Sequence, residues 1–158
     1  MTPGAKAPDF SLETASGTTF RLSSQLGHPV VLYFYPQDDT EGCTIENMDF
    51  SRLAPDFAAL GVTLVGISPD SVADHCKFRD KYGLGTTLAS DPEHKAIGAF
   101  DLWKPKKTFG REYIGLVRTT VLIDASGRIA QLWTVTRIKN HAATVLEAAK
   151  ALVQSPAN

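Results

Sequence analysis

Two apolar runs constrain the fold more than anything else in this chain. "HPVVLYFYP" (28–36) is continuous rather than alternating, and Pro36 ends it. "VTLVGIS" (62–68) has the same character. A strand solvated on one face alternates apolar and polar residues, so an unbroken run reads as a strand buried on both faces. Such strands need helices above and below. The segments between them supply helical patterns: one from Cys43 to about Ala54, limited by Pro55; a second in "PDSVADHCKFRDKYG", with Pro and Asp at its start and Gly83 at its end; and a short third in "PEHKAIGAF". "TTLASD" is a short strand. "PDFSLETASG" and "TTFRL" can pair as an N-terminal hairpin, and "YIGLVRTTVLID", "ASG" and "RIAQLWTV" read as strand, turn and strand. "NHAATVLEAAKALV" is an amphipathic helix with Asn140 as its cap, and the tail "VQSPAN" reads as frayed. The class is α/β, a mixed central sheet flanked by helices.

The 158 residues fit one domain, 1–158, with a sizeable core. A net charge of −1 gives no electrostatic reason to expect nucleic acid or an anionic membrane as a partner. No basic segment leading into an apolar run opens the sequence, and no stretch approaches the length of a membrane span. Two cysteines do not make a disulfide scaffold. The expectation is a cytoplasmic protein, whose thiols are reactive or merely buried.

Cys43 lies in "PQDDTEGCTIENMDF", where a loop delivers it to the start of a helix. Unpaired N–H groups and the positive end of the helix dipole favour a thiolate there, and cysteines so placed titrate at about 3.5–7.5 instead of about 8.5. Thr40, three residues earlier, offers a hydroxyl beside the sulfur, and Pro36 fixes and shields the loop. The alternative is a small core residue, since free cysteines are often buried. Arg118 sits in an otherwise apolar strand, where an arginine is costly unless something anionic faces it. A thiolate would serve; so would Glu46 or Asp49.

The string "YFYPQDDTEGCTIENMDF" resembles the active-site segment of peroxiredoxins, within them the bacterioferritin comigratory protein (peroxiredoxin Q) group. The general pattern Pro-x-x-x-Thr-x-x-Cys falls on Pro36, Thr40 and Cys43. "GISPDSVADHCKF", "KKTFGREYIGLVRTTVLID" and "NHAATVLEAAK" extend the likeness over nearly the whole chain. The resemblance implies a thioredoxin-like fold and a thiol peroxidase acting on hydrogen peroxide and organic hydroperoxides. Cys43 would be oxidised to a sulfenic acid, with Pro36, Thr40 and Arg118 completing the site. No cofactor or metal is implied, because sulfur is the redox centre. The four histidines show no metal-ligand spacing.

The sequence departs from much of that group at the fifth position after Cys43. A resolving cysteine often stands there; here it is Met48. Other members carry it on the following helix, which makes Cys76 the candidate. Cys76 is about 200° around the helix from Phe78, so it points away from a core face built on Phe78 and Tyr82. His75 and Lys77 give it a mildly electropositive setting. A Cys43–Cys76 disulfide would then need local unwinding, and thioredoxin (or glutaredoxin) would reduce a monomeric enzyme. Two alternatives stay open: a one-cysteine peroxidase with Cys76 a bystander, and a peroxide sensor relaying oxidation to a client. A plain disulfide oxidoreductase is disfavoured, because no Cys-x-x-Cys is present. "WKPKKTFGR" reads as a solvated basic loop. Phe10, Tyr35 and Phe50 are expected to wall the pocket, and Trp103 and Trp133 to be core or wall.

Overall fold

The alternation of buried strands and helices produces a seven-stranded mixed sheet. The computed structural model describes residues 1–108 and 110–154, the side chains at 107 and 108 excepted. The end of the tail read as frayed, from residue 155, lies outside the described residues. The elements are β1 (Ser11–Thr14), β2 (Thr19–Arg21), a 3₁₀ turn (Leu22–Gln25), β3 (Val30–Phe34), α1 (Glu41–Ala59), β4 (Thr63–Ser68), α2 (Val72–Tyr82), β5 (Thr87–Ser90), α3 (Lys95–Ala99), β6 (Trp103–Thr108), β7 (Arg111–Leu116), β8 (Thr119–Ile123), β9 (Ile129–Thr134) and α4 (His141–Gln154). The sheet order is β2-β1-β5-β4-β3-β8-β9. β3 pairs in parallel with β4 and antiparallel with β8, and β1 and β2 form the N-terminal hairpin.

β3 is buried at every position, as an unbroken apolar run requires. Its side chains alternate between two cores. Val30, Leu32 and Phe34 face one with Phe10, Phe20 and Phe100. Val31, Tyr33 and the following Tyr35 face the other with Phe50, Phe57, Phe78 and Val145. Thus α1, α2 and α4 cover one face, while α3 and the N-terminal segment cover the opposite one. Phe10 belongs to the core across the sheet from Cys43, so it does not wall the site, whereas Tyr35 and Phe50 share the core of Cys43.

Three local expectations change. α1 does not stop before Pro55 but runs to Ala59 with Pro55 inside it. An interior proline removes one helical hydrogen bond and crowds the preceding turn. Here Phe50 and Phe57, both fully buried, lie on either side of it, and their packing carries the helix through. The segment 111–123 is two strands, because β7 ends at Leu116 and β8 starts at Thr119. β7 turns back on β6 in a separate two-stranded ribbon. The basic run is therefore one arm of a hairpin, not a loop, with Trp103 exposed on it and stacked at a tilt on His94. Last, Ser71 caps α2, its hydroxyl accepting from the Asp74 N–H, while Gly83 closes the helix at φ 63° as expected.

Candidate active site

The site forms where β3 ends. Phe34, the last residue of β3, pairs with Thr119, the first of β8. Arg118 thus stands at the sheet edge from which the chain departs toward Cys43. Cys43 is the third residue of α1 and 1% exposed. Thr40 is the N-cap by backbone geometry, yet its hydroxyl makes no capping bond and instead donates to the Gln37 carbonyl at 2.9 Å. Its lone pairs remain acceptors beside the helix N-terminus. Pro36 is half-buried between Tyr35 and that loop.

Arg118 reaches a sulfur and a carboxyl with one guanidinium. Nη2 donates to Cys43 Sγ at 3.1 Å, and Nη1 donates to Glu46 Oε1 at 2.6 Å. The two explanations for this arginine are therefore both true of the geometry; Asp49 pairs with Arg52 instead. Burial alone would lower the guanidinium's pKa, but Glu46 and Cys43 outweigh it and hold it above its ordinary value. Glu46 is 1% exposed, and its Oε2 has no partner. Burial pushes its carboxyl up to about 7, against the pull of Arg118. The sulfur thus meets a fixed positive group and the positive end of a helix in a nearly dry setting. That arrangement stabilises negative charge on sulfur and on an anionic oxygen brought beside it.

A second set of side chains fixes the backbone of Cys43. Asn47 Nδ2 donates to the Cys43 carbonyl at 2.9 Å, and the Tyr33 hydroxyl lies 2.8 Å from Asn47 Oδ1 and 2.9 Å from Thr86 Oγ1. Burial pushes the Tyr33 phenol up, so it stays a neutral donor. A Cβ on Gly66 would lie 2.5 Å from Tyr33 Cζ, so only glycine leaves room for this ring. His141, the first residue of α4, turns inward. Its ring is buried, bonded to Thr120 at 2.8 Å and edge-on to Phe50 and Trp133. Burial first, then Arg118, lower its pKa. Asn140 takes φ 63°, and its carbonyl accepts from the Thr144 N–H. Glu46 was legible only as a charge partner. Asn47 and Tyr33 carried no signal beyond their apolar surroundings, because their contacts are long-range.

Residues 3–132 match the AhpC/TSA family. The chain is 46% identical to peroxiredoxin Bcp of Bacillus subtilis over 93% of this chain and 94% of that one. This chain belongs to the AhpC/TSA family, in its Bcp (peroxiredoxin Q) group of peroxiredoxins. Among solved structures, the bacterioferritin comigratory protein of Xanthomonas campestris superposes with a TM-score of 0.89 at 36% identity, covering 97% of this chain and all of that one. That structure is one of a set of trapped intermediate/ligand complexes that bear on the alkyl peroxide reduction activity of the Xanthomonas protein. Peroxidoxin BcpB of Mycobacterium tuberculosis gives a TM-score of 0.83 at 32% identity over 96% and 98% of the two chains. The thioredoxin-like peroxiredoxin fold expected from the sequence is the fold observed.

In this peroxiredoxin both cysteines are free. Cys76 is half-buried, not open, and its Sγ donates to the Ala15 carbonyl at 3.2 Å in the turn after β1. His75 does not flank it electrostatically: the ring is wholly buried and faces Asp38. The positive neighbour is Arg79, one turn on, whose Nη1 shares the Ala15 carbonyl at 3.2 Å. Cys76 faces the β1 turn and Cys43 faces the start of β8, and β5, β4 and β3 lie between those strands. Met48 is 45% exposed on α1. Although the histidines lack ligand spacing in sequence, Asp38, Asp70 and His75 converge within 4.8 Å. They satisfy one another: His75 Nδ1 lies 2.6 Å from Asp38 Oδ2, and Asp70 Oδ2 accepts from the Asp38 N–H and the Ser68 hydroxyl.

Proposed function

We propose that this chain is a thiol peroxidase reducing hydrogen peroxide and organic hydroperoxides, with Cys43 as its nucleophile. The observation that carries the reading is the Arg118 guanidinium 3.1 Å from a buried sulfur in the first turn of a helix. The Cys43 thiolate attacks one peroxide oxygen, the O–O bond breaks, and the departing alkoxide or hydroxide takes a proton as water or alcohol. Cys43 becomes a sulfenic acid. Arg118 stabilises charge on the sulfur and on the departing oxygen. Thr40 accepts the peroxide O–H, and Pro36 keeps water from the loop.

Cys76 resolves the sulfenic acid. Its sulfur attacks Cys43 Sγ, forming the disulfide and releasing water, and thioredoxin (or glutaredoxin) restores both thiols by exchange. Because the two sulfurs face opposite parts of the sheet, this step requires α2 to unwind locally. The enzyme works as a monomer in the cytosol, where both thiols stay reduced between turnovers. A one-cysteine mechanism has one observation in its favour, the bond tying Cys76 to Ala15.

Intact mass after one equivalent of hydrogen peroxide, with alkylation of free thiols, separates these. The expected product has lost about 2 Da and resists alkylation at both cysteines. One or two oxygens on Cys43, with Cys76 alkylated, would establish the one-cysteine mechanism. No change, or turnover retained in Cys43→Ser, would end the peroxidase reading.

A further inference from the structure

The twin acidic residues of "PQDDTEGC" play no part in the chemistry above, yet both are bound to the helix that carries Cys76. Asp38 is buried. Its Oδ2 lies 2.6 Å from His75 Nδ1, its Oδ1 accepts from the Tyr35 hydroxyl at 2.7 Å, and its N–H donates to Asp70. The other ring nitrogen of His75 lies 3.0 Å from the Ala89 carbonyl. Asp39 sits at φ 59°, a left-handed conformation unusual for a non-glycine residue. Its carboxylate accepts from Lys81 Nζ at 2.7 Å and from the Tyr82 hydroxyl at 2.6 Å. Lys81 first, then Tyr82, hold its carboxyl below the ordinary value. The loop is thus fastened to α2 near the helix's first turn by His75 and at its last turn by Lys81 and Tyr82.

Apolar burial holds α2 weakly. Phe78 is its one fully buried apolar residue, with Tyr82 partly buried beside it, whereas α1 buries Cys43, Phe50 and Phe57 and α4 buries Ala142, Val145, Leu146 and Ala149. An element with few apolar anchors opens at lower free energy than the rest of its fold, and its polar contacts then set how readily it opens. The contacts from Asp38 and Asp39 are of this kind, and they span the helix on which Cys76 must become mobile.

We propose that Asp38 and Asp39 are positioning residues that clamp the Cys43 loop to the Cys76 helix and thereby set the partition of the Cys43 sulfenic acid. This rests on the reading of Cys76 as resolver. Two reactions compete for that acid. In one, Cys76 attacks Cys43 Sγ, the disulfide forms, and the sulfenic oxygen leaves as water with the Cys76 proton. In the other, a second peroxide transfers an oxygen to the sulfenate, giving the sulfinic acid and one water or alcohol. The clamp slows the first by holding α2 folded and leaves the second untouched, so the intact clamp favours over-oxidation at high peroxide.

The test uses the outer half of the clamp, which is solvent-accessible and so spares the core. Lys81→Met/Tyr82→Phe and wild-type protein are oxidised over a range of hydrogen peroxide concentrations. Mass spectrometry gives the ratio of disulfide (loss of about 2 Da) to sulfinic acid (gain of about 32 Da). The ratio compares two fates of one intermediate, so it does not depend on the rate of the first oxidation. The expected result is a rise of about fivefold in the peroxide concentration at which the products are equal. In a Cys76→Ser background the same substitutions should leave the rate of sulfinic acid formation unchanged, whereas a general loosening around Cys43 would alter it. A ratio within about twofold of wild type, or a shift toward sulfinic acid, overturns the clamp while leaving Cys76 as resolver. No disulfide in wild type at any peroxide concentration overturns both.

Discussion

Arg118 holds a sulfur with one nitrogen and a buried carboxylate with the other, so removing it changes two things that a single variant cannot separate. In Arg118→Met, Glu46 loses the partner at 2.6 Å on Oε1, while its Oε2 already has none. Breaking a buried ion pair from one side costs about 3–5 kcal/mol. Burial already pushes the Glu46 carboxyl up to about 7, so on losing Arg118 it can take up a proton instead of staying charged. The expected loss of stability is therefore at the low end, about 3 kcal/mol. Arg118→Met/Glu46→Gln removes both charges and should recover most of that loss, because a neutral amide needs no counter-ion. The reaction with peroxide behaves differently. One preorganised donor to a developing negative charge is worth about 10²–10³ in rate, and both variants lack it. Urea unfolding gives the stabilities. Single-turnover oxidation of Cys43, quenched by alkylation and read by mass, gives the rates. Should the double variant regain stability and also oxidise within about threefold of wild type, Arg118 would be a structural partner of Glu46 and no part of the chemistry.

Glu46 also sets an acid-side signature. Its folded value of about 7 lies above the ordinary 4.5, so the folded state keeps a proton that the unfolded chain has released. Stability from this group is greatest below pH 4.5 and declines as pH rises to about 7, by about 3 kcal/mol in all; Glu46→Gln should flatten that part of the urea-midpoint profile, and an unaltered profile would contradict the assignment. Gly42 is the other sensitive position. A Cβ there would lie 3.1 Å from Ile138 Cδ1, which must give way, and 3.6 Å from Arg118 Nη2, an ordinary contact, so Gly42→Ala should slow single-turnover oxidation of Cys43 by up to about tenfold by pushing Ile138 aside next to the guanidinium. Ile138→Val should restore part of the rate; no recovery would mean that the methyl acts through something other than Ile138.

What could be read from the sequence was what short stretches determine alone. Continuous apolar runs implied strands buried on both faces, and β3 and β4 are such strands. The loop-to-helix junction at Cys43 was legible because capping and dipole effects act within one turn. The arginine in an apolar segment demanded a partner, and both Glu46 and the Cys43 sulfur meet it. What was hidden depends on partners far along the chain. His75 appears to flank Cys76 on a helix drawn in isolation, but its ring is drawn inward by Asp38, thirty-seven residues earlier. Pro55 is a helix breaker locally and is overruled by Phe50 and Phe57, whose burial only the assembled core provides. The basic run looked like a loop because its pairing partner, β7, read as the start of the next strand.

The identity of residue 48 connects these observations. A thiol at that position would ride on α1, the same rigid helix as Cys43, which five buried side chains hold in place. With Met48 there instead, the resolving thiol of the proposed mechanism is Cys76 on another element, and under that proposal the element has to move. α2 is suited to this: two buried residues, His75 and Phe78, with Tyr82 packed on Phe78, and an outer fastening from Lys81 to Asp39 that is solvent-exposed. A helix anchored like α1 would keep Cys76 bonded to Ala15 and leave the sulfenic acid to a second peroxide. Weak apolar anchoring of α2 and a methionine, not a cysteine, at position 48 of α1 therefore fit one arrangement. In the proposed clamp, Asp38 and Asp39 hold this weakly anchored helix folded and so set how fast Cys76 can answer the sulfenic acid.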